Sequence, residues 1–189
     1  MKTFITVIFF GILTYTDAKK TVETCQNSLQ IKPGLNIPSF FTGVWYTTHM
    51  MDASSAATCR AYKFEQNPNG ILLTYTGQVT VSGNTKQYTV TCSSKELNPS
   101  APILFKCAQS YTTVYHTPGN EFFDLRFSVI ETDYGDHALV YRCMKYDDEK
   151  DSYGMYMILQ RNKNGNGDKA KESLKKNKWE FSKFKKFSC

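Results

Sequence analysis

Apolar residues fall along this chain in two patterns. At the start they form one run, Phe-Ile-Thr-Val-Ile-Phe-Phe-Gly-Ile-Leu at positions 4–13. From residue 44 onward they recur in short stretches rich in aromatic and β-branched residues, the composition of strands. Eight such stretches occur, at 44–50, 58–65, 71–81, 86–93, 103–111, 122–131, 138–145 and 153–161. Turn-forming clusters punctuate them: Asn67-Pro68-Asn69-Gly70, Ser82-Gly83-Asn84 and Thr117-Pro118-Gly119-Asn120. Residues 19–42 carry little periodicity, and Pro33-Gly34 and Pro38 mark them as loop or short turns. One helix is predicted over 168–178, capped by Asp168, with Ala170 and Leu174 on one face. Residues 179–187 then read as an extended return. Strands at this spacing, with no internal repeat, predict an all-β fold: an antiparallel sandwich or an up-and-down barrel.

The first run changes the picture of where this fold lives. Lys2 precedes it and Thr16-Asp17-Ala18 follows, ending in a small residue suited to cleavage. Residues 1–18 are therefore expected to be a signal peptide, too short for a permanent membrane anchor, leaving 19–189 as a single exported domain. About 170 residues suffice for one substantial core. Six cysteines, Cys25, Cys59, Cys92, Cys107, Cys143 and Cys189, read as three disulfides in an exported chain. There is no C-x-x-C, and no histidine lies near a cysteine pair, so no metal site is expected. Spacing alone does not choose among the possible pairings.

The net charge is +6 and is concentrated late, with eight lysines against two acids from Lys169 to Cys189. The plain reading is a solvated helix face. The other is contact with an anionic partner, a proteoglycan or membrane surface, through residues such as Lys175, Lys176 and Lys178. Nucleic acid is not an expected partner of an exported chain. Asn98-Pro99-Ser100 is no glycosylation acceptor, because proline takes the excluded position.

Three local motifs carry a resemblance. Gly43-Val44-Trp45-Tyr46 resembles the G-x-W of the first lipocalin strand. Thr132-Asp133-Tyr134 resembles the T-D-Y turn of that superfamily, and Arg161 resembles the arginine that packs over the tryptophan at the closed barrel end. A guanidinium over an indole face is a physically sound plug. More narrowly, the Trp45-Tyr46 strand, Ala138-Leu139-Val140-Tyr141-Arg142-Cys143, and Leu159-Gln160-Arg161-Asn162-Lys163 with Gly167-Asp168-Lys169 resemble the salivary lipocalins of blood-feeding triatomine bugs. That group includes triabin, pallidipin and the nitrophorins. The resemblance runs over nearly the whole mature chain. It implies an eight-stranded antiparallel up-and-down barrel with one C-terminal helix. It also implies pairing of Cys25 with Cys143, Cys59 with Cys189 and Cys92 with Cys107. The last pair lies on successive strands, where a cross-strand bridge is easy to build.

Strand alternation then gives a candidate lining for a cavity. With Trp45 inward, Thr47 and His49 follow. With Arg161 inward, so are Leu159, Met157 and Met155. Cys59 and Cys143 bridge to peripheral segments, which places Arg60, Tyr62 and Phe64, and Arg142 and Met144, inside. On residues 122–130 either phase is possible; the more apolar set, Phe123, Leu125, Phe127 and Val129, is placed inside. Such a cup, apolar with cationic groups, suits a small carboxylate or phosphate such as an eicosanoid or a nucleotide. The alternative is arginines at a wet rim around a packed interior.

Cofactors are not expected. Nitrophorins hold haem through a histidine on the strand corresponding to 71–81, and Leu73-Thr74-Tyr75-Thr76-Gly77 has none; His116 and His137 read as turn residues. Amine binding would need inward carboxylates, and candidates are few: Asp52 near one loop, and Asp124 in the opposite phase to the inward set. The absence of G-x-S-x-G, H-E-x-x-H and a spare thiol argues against an enzyme. The resemblance implies a salivary protein that blocks host haemostasis or platelet aggregation by sequestering a small mediator. The competing reading is an inhibitor of a clotting protease acting through loops at 50–57, 94–102 and 146–151, with Tyr146 and Tyr153 as anchors. No oligomer signal is present, so a monomer is expected.

Overall fold

The computed structural model describes residues 25–26, 29–53, 57–81, 84–112, 120–147 and 150–189. The expected signal segment lies outside these, as do His116 and parts of the loops at 50–57 and 146–151. The strands are β1 (Gly43–Met51), β2 (Ala61–Asn67), β3 (Gly70–Val81), β4 (Asn84–Ser94), β5 (Ile103–Thr112), β6 (Asn120–Thr132), β7 (His137–Tyr146), β8 (Ser152–Gln160) and β9 (Phe184–Lys186). Each of the first eight pairs antiparallel with its neighbour in sequence, and β1 closes the ring by pairing with both β2 and β8. This is the eight-stranded up-and-down barrel, and closure leaves its main sheet without free edges.

Alternation sends one set of side chains inward. Tyr62, Phe64, Leu73, Val90, Phe105, Phe123, Leu125, Phe127, Val140, Met157 and Leu159 form an inner core. The opposite set on β7 and β8, Leu139, Tyr141, Tyr156 and Ile158, is buried too. It is covered from outside by α2 (Ala170–Lys176), whose Ala170 and Leu174 pack onto it. That helix is shorter than expected and takes no side-chain cap from Asp168, which pairs with Lys171 instead. The predicted extended return is a 3-10 turn (Phe181–Lys183) followed by only three strand residues. A one-turn helix, α1 (Ile37–Phe40), starts the barrel where loop or short turns were expected, its cap Asn36 accepting from Ser39 N at 3.0 Å. The second strand begins at Ala61 rather than 58.

The motif residues build the closed end. Gly43 sits at φ +65°, a backbone conformation that disfavours a side chain. Trp45 is fully buried and donates its indole N–H to Phe40 O at 2.9 Å. The Arg161 guanidinium lies 3.7 Å from the Trp45 ring centroid and donates to the carbonyls of Thr42 (2.6 Å) and Val44 (3.1 Å). In the β6–β7 turn, Thr132 Oγ1 donates to His137 O and accepts from Tyr134 N. Asp133 Oδ1 accepts from Asp136 N and His137 N, both at 2.9 Å. Disulfides join Cys25 to Cys143, Cys59 to Cys189 and Cys92 to Cys107.

Candidate functional site

Above the aromatic floor of Phe40, Phe41, Phe64, Phe105 and Phe127, the barrel interior turns polar. β7 delivers Arg142, and the residue before β2 is Arg60. Both guanidiniums enter an interior of tyrosines. Arg142 Nη1 donates to Tyr62 Oη at 3.1 Å, and Arg60 Nη2 donates to Tyr88 Oη at 3.1 Å. The Arg60 guanidinium also lies 5.8 Å from the Tyr75 ring centroid, and the Tyr62 and Tyr75 rings meet at 5.0 Å. Burial would raise the Tyr62 phenol, but Arg142 and Arg60 outweigh it and hold the phenol below its ordinary value. Tyr75 goes the other way, raised first by burial and then by Tyr62.

Two features make this layer unusual for a packed core. The Nε–H groups of Arg60 and Arg142 are buried with no hydrogen-bond partner, as is Thr47 Oγ1. Among the described residues, no carboxylate lies within ion-pairing distance of either guanidinium. Buried cations normally carry such a partner. Met155 and Met144 pack at the edge of the same interior, and Met157 Sδ lies 3.9 Å from Tyr62 Oη. Thr47, Arg60, Tyr62, Phe64, Phe123, Phe127, Arg142, Met155 and Met157 are therefore brought together.

His49 is not among them, which corrects its place in the expected lining. A bulge between Thr47 and His49 reverses the phase of β1, so Met50 pairs with Met157 inside and His49 pairs with Ile158 outside. Its ring lies 5.2 Å from that of Phe181, under the C-terminal segment. Burial first, then Lys186, lowers its pKa to about 4, against an opposing pull from Asp168. Asp124 also points outward, paired with Lys106.

Sequence reasoning missed four contributors. Tyr75 and Tyr88 share the phase of Leu73 and Val90, so alternation could have found them. Gly77 faces Tyr88 across the β3–β4 ladder, and a Cβ there would run into the phenol ring. Glu121 was missed because its strand was started at Phe122. It accepts from Tyr111 Oη at 2.9 Å and from Gln109 Nε2 at 3.1 Å. Burial, then Glu121, pushes the Tyr111 phenol up to about 12, keeping it a donor.

On the outer surface, a cavity of about 460 Å³ lies between Leu29, Met51, Ile130, Tyr156 and Trp179. A second, of about 360 Å³, lies on β4–β6 beside Phe122. Phe122 and Leu104 on these strands are more than half exposed, at 55% and 56%. Asp133, Asp136 and His137 bring their ligand atoms within 4.8 Å of one another. Both Asp133 oxygens, however, are engaged in the turn, with Oδ2 3.1 Å from His137 Nδ1.

Comparison with known proteins gives a consistent picture. The family model described as Triabin matches residues 17–174. Triafestin-2 of Triatoma infestans is 32% identical over 158 residues, covering 81% of this chain and 74% of its own length. Among solved structures, a point variant of LTBP1 in complex with leukotriene C4 superposes with a TM-score of 0.59 at 24% identity, covering 85% of this chain and 91% of its own. The tryptamine complex of the amine binding protein of Rhodnius prolixus reaches a TM-score of 0.64 at 18% identity, covering 87% and 86%. At these identities the structural matches speak for the barrel fold alone.

Proposed function

The chain belongs to the Triabin family, a family of binding proteins and not of enzymes, and from that premise we propose that it is secreted after loss of residues 1–18 and sequesters a small amphipathic anion inside its barrel. One observation carries this reading: two guanidiniums, Arg60 and Arg142, stand in an aromatic and methionine-rich interior with unpartnered Nε–H groups and no described carboxylate beside them. A carboxylate or phosphate headgroup would supply the missing acceptors, and the apolar walls would hold its hydrocarbon or ring. An eicosanoid or a nucleotide fits that description. Removing such a mediator from a host's blood would oppose platelet aggregation or inflammation without any turnover.

The test is titration of the oxidised protein with eicosanoids, adenine nucleotides and biogenic amines, read by native mass spectrometry and calorimetry. The expected result is a one-to-one complex with an anion, weakened about 10–100-fold in Arg142→Gln and again in Arg60→Gln. Binding that ignores both substitutions, or that selects amines, would overturn the reading.

A second reading rests on exposed Leu104 and Phe122. They stand four positions apart in register on the outer face of β5 and β6, on either side of the Lys106–Asp124 pair, where a host clotting or platelet protein could contact them. If inhibition of clotting survives Arg142→Gln but is lost in Leu104→Ser with Phe122→Ser, the outer face and not the interior is the working site.

A further inference from the structure

The lysine-rich end of the chain is a fixed surface. After α2, Trp179 N donates to Leu174 O at 2.9 Å, and the Trp179 ring packs 4.3 Å from that of Tyr156. β9 then pairs with the end of β1, setting Lys186 opposite His49, Lys185 opposite Met50 and Phe184 opposite Met51. Phe187 N donates to Thr48 O, and Cys189 is bonded to Cys59. Phe184 and Phe187 are buried. Six lysines of the segment, Lys175, Lys176, Lys178, Lys183, Lys185 and Lys186, are exposed, beside exposed Glu180, Ser182 and Ser188. Glu180 is the one acid between residues 175 and 189. Lys176 reaches Glu131 at 3.4 Å, while among the described residues no carboxylate lies within ion-pairing distance of the other five.

We propose that the outer side of this segment, which carries Lys186 and not Lys185, binds a linear sulfated polysaccharide. Lysine ammoniums are point charges suited to successive sulfates, and anchoring the segment at both ends lowers the ordering entropy lost on binding. The same face lacks what a lipid surface would use. Among the described residues, the exposed large apolar ones, Leu97, Leu104 and Phe122, all lie elsewhere, and the phenylalanines here are half-buried or buried in the fold. A stable interfacial segment needs an inserting apolar side as well as charge. Retention on such a polymer would concentrate the protein at cell surfaces, independently of what the barrel holds.

The experiment compares the disulfide-bonded protein with two variants of equal charge. One is Lys178→Gln with Lys183→Gln and Lys186→Gln. The control is Lys95→Gln with Lys145→Gln and Lys163→Gln, also exposed lysines. Heparin, chemically desulfated heparin and phosphatidylserine vesicles are the probes. Wild type is expected to bind heparin and to lose about tenfold or more in affinity between about 50 and 200 mM salt. The first variant should bind about tenfold more weakly and the control within about threefold of wild type. Desulfated heparin should not compete. Unchanged thermal melting of the variants verifies their fold. Absence of heparin binding, equal loss in both variants, or tighter binding to vesicles than to heparin would each overturn the proposal.

Discussion

Single side chains in this barrel do sharply different work. Arg161 is a clamp: its guanidinium covers the Trp45 ring and reaches the carbonyls of Thr42 and Val44. Arg161→Lys keeps the charge and loses the fork, so denaturation in urea should show a loss of about 2 kcal/mol. A loss near zero would mean the plug is held by packing alone. His49 is a stability sensor. Its folded pKa of about 4 lies below the ordinary 6.5, so the unfolded chain binds the proton more readily. Its contribution is therefore intact above about pH 6.5 and falls away as pH drops toward 4, by at most about 3 kcal/mol. His49→Gln should flatten that part of the stability profile; an unchanged slope between pH 7 and 4 would assign it to other groups. The motif residues Gly43, Trp45, Thr132, Asp133, Tyr134 and Arg161 could be read from sequence because each is tied to local geometry. His49 could not, since its orientation depends on a bulge several residues long in its consequences.

Elements show why alternation succeeds on some strands and fails on others. On β2 and the first part of β6, period two runs unbroken, and Tyr62, Phe64, Phe123, Leu125 and Phe127 fall inside as the pattern implies. On β1 and late β6, bulges at Thr47/His49 and Val129/Glu131 shift the register, so Met50 comes inside and Glu131, opposite outward Leu139, goes outside. A bulge adds one residue to one strand, and neither neighbour need announce it in composition. The helix was legible by its Ala170–Leu174 face, but α1 was hidden by its single turn and by Pro38. The β3–β4 ladder carries a further test. Gly77 leaves room for the Tyr88 ring that accepts from Arg60. Gly77→Ala should displace that ring, cost about 1–3 kcal/mol in unfolding free energy and weaken anion binding. Gly135→Ala, where a Cβ meets only Asp133 O at 3.9 Å, is the matched control and should change neither. Equal effects of the two would show that Tyr88 has space to spare.

At the scale of the whole molecule, the binding role proposed for Arg142 would set binding against stability in one residue. The closed sheet, the three disulfides and the aromatic floor would support an entirely apolar interior. Instead Arg142 stands almost fully buried, at 5% exposure, with its Nε–H unpartnered. Replacing a buried charge by an apolar side chain of similar length is often neutral or stabilising by about 1–4 kcal/mol. Arg142→Met should therefore melt at or above the temperature of the wild-type protein when no ligand is present. Adding the anion at about 100 times its Kd should stabilise wild type by about 2.7 kcal/mol. For a chain of this size that is a rise of about 5–10 °C in Tm. The same addition should leave Arg142→Met nearly unmoved, so that the order of the two melting curves reverses or closes. A thermal scan with and without ligand reads all four values at once. If Arg142→Met melts well below wild type without ligand, the arginine is a structural strut. If both proteins gain equally from the anion, the site lies elsewhere than the tyrosine–arginine layer. Only the crossed pattern, stable when empty and indifferent to ligand, belongs to a residue kept in the core for binding at the expense of stability.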